Sequence, residues 1–195
     1  MTVLFELKNI YKEYGDNKVL DNINLKINSG DKIGLVGNNG SGKTTLANII
    51  YGAESYRGNI VWSKGNVTIG YMKQSFEYIQ GFDSLSGGEK TKKLLNEVVY
   101  GDYELLILDE PTNHLDYHGV SWLIDSIKKF SGTVIMISHD RYFLDQCAEN
   151  IIEIENCAIK KYAGNYTDYR NKKQKEFNDQ LHLYIEIGLP QSHWL

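Results

Sequence analysis

A glycine-rich loop between a predicted strand and a predicted helix constrains the fold more than any other segment. Residues 37–44 fit the pattern G-x-x-x-x-G-K-[ST], an apolar strand is predicted over residues 32–36, and an amphipathic helix is predicted over residues 44–51. Glycines let successive backbone N–H groups turn towards one point, where the positive end of the helix also attracts an anion. The sequence therefore predicts a phosphate-binding loop on an α/β scaffold, with a glycine-rich turn and a surface lysine as the alternative.

An acidic pair follows the most apolar run of the chain. Residues 105–108 are all aliphatic, which predicts a strand buried on both faces, and Asp109-Glu110 comes directly after it. In a parallel sheet this strand would end beside the phosphate loop. Asp109 and Thr44 are therefore predicted to hold Mg²⁺, and Lys43 the β- and γ-phosphates. Glu110 is predicted to polarise the attacking water, with a surface salt bridge as the alternative.

Composition excludes several classes of protein. The chain has 195 residues, 42% hydrophobic and 24% charged, with a net charge of −4, which fits one globular domain without a basic surface spanning it. No apolar run reaches 18 residues, and residues 1–8 lack the pattern of a signal peptide. Cys147 and Cys157 are too few for a disulfide framework or a cysteine metal site. We therefore expect a cytoplasmic protein without a membrane-spanning segment.

The order of predicted elements indicates the fold class. The N-terminal part alternates in the manner of half-buried strands, and the later part alternates between apolar strands and helices, which favours an α/β fold with a parallel core sheet and an antiparallel β layer. Strands are predicted over residues 3–7, 23–27, 58–62, 67–72 and 133–137, helices over 86–100, 120–130 and 140–147, a hairpin over 151–162, and an exposed helix from 166.

A second glycine-containing helix start gives the motifs a family resemblance. Ser86, Gly87, Gly88 and Glu89 stand at the start of a predicted helix, where free N–H groups form another anion site. Together with the phosphate loop, Gln74 and the acidic pair, in this order along the chain, the segment gives the chain, over about residues 3–163, a resemblance to the ATP-binding cassette (ABC) family. The motif-matching segments are 37–45 (Walker A), Gln74 (Q-loop), 85–89 (signature), 105–110 (Walker B), Asp116 (D-loop) and His139 (switch).

The resemblance implies a set of nucleotide-binding residues and two catalytic helpers. The ATP-binding residues of the Walker A segment are Gly37, Asn38, Asn39, Gly40, Ser41, Gly42, Lys43, Thr44 and Thr45, joined by Ser86, Gly87, Gly88, Glu89 and Asp116. Gln74 would sense Mg²⁺ or the water, and His139 the γ-phosphate. Tyr14 matches the aromatic that stacks on adenine, with Tyr11 as the fallback and core packing as the alternative for Tyr14.

The resemblance also implies that one cassette is half of a catalytic unit. In the family, two cassettes hold two ATP molecules head to tail, so Ser86 and Gly88 would act on ATP bound by a partner cassette, in the same protein or in a homodimer. We therefore expect only weak ATP hydrolysis by an isolated cassette.

Three segments resemble the ABC-F branch of the family, whose members act on the ribosome in translation and antibiotic resistance. They are residues 109–116 after the buried strand, residues 138–145 around His139, and residues 162–169 before the charged helix. The resemblance implies an ATP-binding domain over residues 1–163 and, over residues 164–195, the start of a linker helix with an atypical tail. A ribosome or ribosomal RNA partner is implied for the full-length protein.

Two departures from the family pattern bear on the choice of branch. Only residues 75–84 separate Gln74 from Leu85, which predicts a much shortened helical subdomain and argues against the alternative of a transporter ATPase subunit. Residues 181–195 turn apolar and are interrupted at Gly188 and Pro190, which suggests a truncated or frameshifted product rather than an apolar segment covered by a partner. An ATP-binding fragment that is inactive without a second cassette is the remaining alternative.

Overall fold

A computed structural model describes residues 2–73 and 87–186, with side chains described in all but Gly87 and residues 184–186. Its elements, in chain order, are β1 Val3–Tyr14, β2 Asn17–Asn28, β3 Lys32–Gly37, α1 Lys43–Tyr51, β4 Arg57–Trp62, β5 Ile69–Met72, α2 Gly87–Val99, β6 Leu105–Asp109, α3 Tyr117–Lys129, β7 Thr133–Ile137, α4 Arg141–Cys147, β8 Asn150–Glu155, β9 Ala158–Ala163 and α5 Tyr166–Glu186.

Two sheets share one core. The larger sheet has the order β5-β6-β7-β3-β8-β9, parallel except for the antiparallel β8–β9 hairpin, and the smaller antiparallel sheet has the order β2-β1-β4. The predicted α/β class with a parallel core and an N-terminal antiparallel layer is confirmed. The predicted shortening of the helical subdomain concerns residues 75–84, which lie outside the described residues.

The buried strands place the chemical groups at one edge of the larger sheet. Every residue of β6 and of β7 is buried, as their aliphatic sequences predict for strands covered on both faces. The parallel register aligns Asp109 with Ile137, and Leu35 with Ile137. The carboxyl ends of β3, β6 and β7 therefore meet, and the loops that follow them converge on one place, as is usual for ligand sites in such sheets.

Three segments differ from the sequence-based expectation. β2 spans Asn17–Asn28 and is therefore longer than the strand predicted over 23–27. β1 continues to Tyr14 rather than ending near Leu7, because irregularities in its pairing with β2 shift the side-chain alternation on which the prediction relied. α5 continues through Glu186, so residues 181–186 extend the charged helix that we expected to have ended. No glycine or proline occurs in that stretch before Gly188, so nothing in it opposes the helix.

Candidate functional site

The phosphate loop begins and ends at glycines that its neighbours leave no room to replace. A Cβ atom at Gly37, the last residue of β3, would collide with the backbone carbonyl oxygen of Ile154. Gly42 caps α1 with φ +102°, and a Cβ there would lie 2.7 Å from Cγ1 of Val19. The cap of α1 has no side-chain hydrogen bond, so no side chain of the cap occupies its N-terminal N–H groups.

Lys43 carries a charge that the described part of the chain does not neutralise by contact. Its buried ammonium group donates hydrogen bonds of 2.9 Å to the carbonyl oxygens of Gly37 and of Asn38, both neutral acceptors. Burial lowers the pKa of Lys43, and the more distant charges of Glu110 and Asp109 act in the opposite direction. Such a lysine is placed to receive an anion.

The remaining predicted loop residues surround this lysine. Asn38, Asn39, Gly40 and Thr44 are exposed, Ser41 and Thr45 are half-buried, and Gly42 is buried. The hydroxyl oxygen of Ser41 is buried without a hydrogen-bond partner, which is unusual for a buried polar group outside a ligand site. The loop therefore offers both a charge and unused polar groups.

Thr44 and Asp109 join the loop to the end of β6. The hydroxyl of Thr44 donates a 2.8 Å hydrogen bond to Oδ2 of Asp109, whose side chain is almost wholly buried. Burial raises the pKa of Asp109, while Thr44 and Lys43 act to lower it. One hydroxyl and one carboxylate in contact suit Mg²⁺, which takes few protein oxygens and completes its shell with phosphates and water.

No group of three or more His, Cys, Asp or Glu suited to a metal occurs in residues 2–73 and 87–186. The pair Thr44 and Asp109 fits a metal that arrives with a phosphate ligand.

Glu110 lies at a strained turn directly after β6. It adopts φ +52°, which non-glycine residues rarely do, and its N–H donates a 2.8 Å hydrogen bond to the carbonyl oxygen of Ile137 on the neighbouring strand. Burial raises the pKa of Glu110, although the backbone N–H of His139 donates to its carboxylate at 3.4 Å and lowers that pKa in part. A carboxylate of raised pKa at this position suits a general base.

His139 stands opposite Glu110 at the end of β7. Its Nε2 lies 3.6 Å from Oε1 of Glu110, and its side chain is 62% exposed. Asp140 then caps α4 by accepting a 3.0 Å hydrogen bond from the N–H of Phe143, and Ser138 accepts one from the N–H of Asp140. The cap fixes the backbone on either side of His139 while its ring stays accessible.

The start of α2, which carries predicted signature residues, lies against the segment that leads to the predicted D-loop residue Asp116. Gly87 begins α2, Glu89 is exposed, and a Cβ atom at Gly88 would lie 2.8 Å from the carbonyl oxygen of His114. Asp116 caps α3 by accepting a 2.7 Å hydrogen bond from the N–H of Gly119, the main reason that its pKa is lowered. The described contacts of Asp116 thus give it a structural task. Gln74 and Ser86 lie outside the described residues.

Tyr14 and Tyr11 both lie on β1, in different surroundings. Tyr14 is 48% exposed, so core packing does not account for it. Its hydroxyl donates to Glu54, in the segment that follows α1. The hydroxyl of Tyr11 donates to Glu13 of the same strand, and Lys18 and Arg57 lie over its ring. Tyr14 is therefore the tyrosine that is connected to the helix of the phosphate loop.

Sequence reasoning missed the part that α5 plays beside the loop. A cavity of about 420 Å³ is bounded by the phosphate loop, by the segment around His139, and by Tyr169, Arg170 and Lys173 of α5. Its β8 wall includes Glu153, a buried carboxylate that accepts hydrogen bonds from Tyr169 and Lys173. A lone glutamate between Ile152 and Ile154 was the one sequence signal that could have indicated this.

Known proteins resemble this chain in sequence and in fold. Residues 20–82, which include the phosphate loop, match the family model described as ABC transporter. A solved chain titled "Structure of ATP binding subunit of ABC transporter" superposes with a TM-score of 0.72 over 82% of this chain and 90% of its own, at 17% identity. This chain has the fold of an ATP-binding cassette and matches the family's model around its phosphate loop.

Curated relatives of the cassette include ABC transporter F family member 5 of Arabidopsis thaliana, 32% identical over 93% of this chain and 32% of its own length. The ribosome protection protein VmlR of Bacillus subtilis is 34% identical over 94% of this chain and 37% of its own length. The erythromycin resistance ATP-binding protein MsrA of Staphylococcus epidermidis is 38% identical over 77% of this chain and 34% of its own length. The energy-dependent translational throttle protein EttA of Mycobacterium tuberculosis is 27% identical, over 87% and 44%. The cassette spans less than half the length of these relatives and is consistent with an ABC-F cassette.

None of the helices in the described ranges is both long and apolar enough to cross a membrane.

Proposed function

We propose that the chain binds and hydrolyses ATP as one cassette of an ABC-F type protein that pairs head to tail with a second cassette and acts on the ribosome. The observation that carries the proposal is the hydrogen bond between Thr44 and Asp109, which joins the phosphate loop to the buried strand beside Glu110. Similarity to ABC-F proteins over 77–94% of the chain supports the branch.

The residues of the site divide the work on ATP between them. Lys43 and the N–H groups of residues 37–45 would hold the phosphates, and Thr44 and Asp109 would hold Mg²⁺, joined by Gln74. When bound, Mg²⁺ would neutralise negative charge on the phosphate oxygens. Glu110 would orient the attacking water and accept its proton, and the exposed ring of His139 would contact the γ-phosphate.

Two further features support pairing with a second cassette. The 420 Å³ cavity lies beside the phosphate loop, and Gly88 at the start of α2 lies against His114 rather than lining that cavity. Ser86, Gly87, Gly88, Glu89 and Asp116 would therefore act on ATP held by the partner. Closure of the pair would exclude water from both sites.

The catalytic part of the proposal is tested by replacing Glu110. We expect Glu110→Gln to reduce ATP hydrolysis by about 100-fold or more while ATP affinity changes less than about threefold, because the amide cannot accept the proton. ATPase rate per chain and equilibrium ATP binding are measured over a series of protein concentrations. The matched control is Glu149→Gln, at an exposed glutamate just before β8, at the end of that strand remote from Gly37.

Two results would contradict the catalytic proposal. Hydrolysis that persists in Glu110→Gln would remove the general base from this position. A rate per chain that does not rise with protein concentration would contradict the need for a partner cassette.

The ribosomal part of the proposal needs its own test. We expect the hydrolysis-deficient Glu110→Gln chain, alone or joined to a second copy, to sediment with ribosomes in ATP and not in ADP. Absence of ATP-dependent sedimentation in both forms would contradict action on the ribosome and leave ATP binding untouched.

A transporter ATPase subunit is the second candidate, because the matching family model and the superposed solved chain both carry transporter names. That candidate predicts recovery together with a membrane permease after crosslinking, whereas the ABC-F proposal predicts recovery with ribosomes in a cytoplasmic fraction.

A further inference from the structure

The hairpin that carries Tyr14 lies against the start of the phosphate-loop helix. Lys12 pairs with Leu20 across β1 and β2, and Leu20 and its neighbour Val19 pack around Gly42. The part of β1 around Lys12 therefore lies close to the phosphate loop, although Lys12 precedes Gly42 by 30 positions in the sequence.

Glu54 connects this hairpin to the segment after α1. Its Oε1 accepts a 2.6 Å hydrogen bond from Nζ of Lys12, and its Oε2 accepts a 3.0 Å hydrogen bond from the hydroxyl of Tyr14. Lys12 also donates to the hydroxyl of Ser55 at 3.2 Å. Hydrogen bonds from Lys12 and Tyr14 lower the pKa of Glu54, so the carboxylate is ionised at neutral pH. One carboxylate thus fixes two side chains of β1.

Lys12 and Tyr14 also contact each other. Nζ of Lys12 lies 4.7 Å from the centroid of the Tyr14 ring, and the Lys12 side chain is only 10% exposed. The ring itself is half exposed. A cation and a hydrogen-bonded hydroxyl therefore hold a ring that still has free surface for another flat group.

Tyr11 provides an internal comparison. Its hydroxyl bonds to Glu13, two residues along the same strand, and the guanidinium of Arg57 over its ring belongs to a side chain that is 79% exposed. These contacts join Tyr11 to its own hairpin and to Arg57, the first residue of β4, and none of them reaches α1 or Glu54. The position of the Tyr11 ring relative to the phosphate loop is therefore not set by them.

We propose that Lys12 and Glu54 are positioning residues that hold the Tyr14 ring at a fixed separation from the phosphate loop, where it stacks on the purine base of a nucleoside triphosphate. The inference rests on the proposed function and adds two residues to it. A ring fixed in advance loses less conformational freedom when the base binds, so the clamp should increase affinity for the base-bearing ligand alone.

The test compares ATP with inorganic tripolyphosphate, each with Mg²⁺, by calorimetry on the whole chain. Tripolyphosphate uses the phosphate loop but has no base. We expect Lys12→Met to weaken ATP binding about tenfold and to leave tripolyphosphate binding within about twofold. Lys12→Arg should restore most of the ATP affinity, since it keeps a cation near the ring and a donor to Glu54. Lys18, whose ammonium group lies over the Tyr11 ring, provides the matched control. Lys18→Met should change neither ATP binding nor tripolyphosphate binding.

Glu54→Gln provides a second variant, because it keeps the shape of the clamp and removes its charge. We expect it to weaken ATP binding about fivefold and not to change tripolyphosphate binding. Equal weakening of both ligands in Lys12→Met and Glu54→Gln would overturn the inference, because it would place these residues in support of the loop rather than of the ring. Unchanged ATP affinity in both variants would overturn it as well.

The outcome for the unaltered chain separates the inference from the function on which it rests. If the unaltered chain binds neither ATP nor tripolyphosphate, the proposed function fails, and the inference fails with it. If it binds the two equally, the base is not recognised, and only the inference is overturned.

Discussion

Two lysines line the same cavity and are held in opposite ways. Lys43 donates to two neutral carbonyl oxygens, and burial lowers its pKa. Lys173 of α5 donates to the carboxylates of Glu153 and Glu155; burial alone would lower the pKa of Lys173, but those hydrogen bonds outweigh it and raise the pKa. The neutral contacts of Lys43 leave its positive charge available to a ligand. The positive charge of Lys173 is already paired with carboxylates of the protein. Position in a cavity therefore does not by itself identify a ligand-binding lysine.

The largest expected difference between the two lysines is in ATP affinity. We expect Lys43→Met to weaken ATP binding about 100-fold, because the charge nearest the phosphates is lost in a partly buried site. Equilibrium binding measures the effect, with Lys43→Arg as the variant that keeps the charge. An affinity loss below about threefold would break the comparison.

Lys173→Met should affect folding rather than binding. We expect the free energy of unfolding to fall by about 1–2 kcal/mol, because buried Glu153 loses a charged partner while Tyr169 still donates to it. ATP affinity should stay within about twofold. Chemical denaturation measures the first effect, and Lys175→Met, at an exposed lysine of the same helix, provides the control. A loss of ATP affinity without a loss of stability would show that Lys173 acts as Lys43 does.

The effect of alkaline pH on ATP affinity should be smaller than the effect of replacing Lys43. Because the pKa of Lys43 is lowered, Lys43 loses its proton at a lower pH than an ordinary lysine. We therefore expect ATP affinity to fall, by less than about tenfold, as the pH rises towards the ordinary lysine pKa of about 10.4. Lys43→Arg should show no such fall, since arginine stays charged. Equal profiles for the two proteins would assign the titration to another group.

The smallest effect concerns Asp109, the carboxylate near Lys43. Because burial raises its pKa above the unfolded value, its contribution to stability is full below the unfolded pKa and is lost as pH rises through the folded pKa. We expect Asp109→Asn to stabilise the ligand-free chain at pH 7 and to lose that advantage near pH 4. Melting temperatures across this range test it, and Glu153→Gln, whose carboxylate is paired, should destabilise at neutral pH instead.

Local motifs predicted the parts of the site that depend on neighbouring residues. The loop around Lys43 and the pair Asp109-Glu110 follow strands whose composition alone indicates burial, and parallel pairing then places their ends together. The left-handed backbone of Glu110 has no comparable signal, because it depends on the bond that its N–H makes to Ile137 of another strand.

The contacts that sequence reasoning missed join distant residues. Lys12 and Glu54 are 42 positions apart, and Lys173 and Glu153 are 20 apart on a helix and a strand. Neither spacing follows a helix or strand period, so only the three-dimensional packing brings these side chains together. The bulges of β1 hid even the secondary structure around Lys12 and Tyr14, since they shift the alternation of buried and exposed residues.

The anchoring of α5 at its first turns has a mechanical consequence. Tyr169 and Lys173 bind a carboxylate on β8, the strand paired with the one that leads into the phosphate loop, while the 21-residue helix extends for about 30 Å. A rod clamped at one end acts as a lever. About 20 Å of the helix lies beyond Lys173, so a rotation of the clamp by about 10° would move its far end by roughly 3 Å. Small rearrangements beside the loop would therefore be magnified several-fold at a distance.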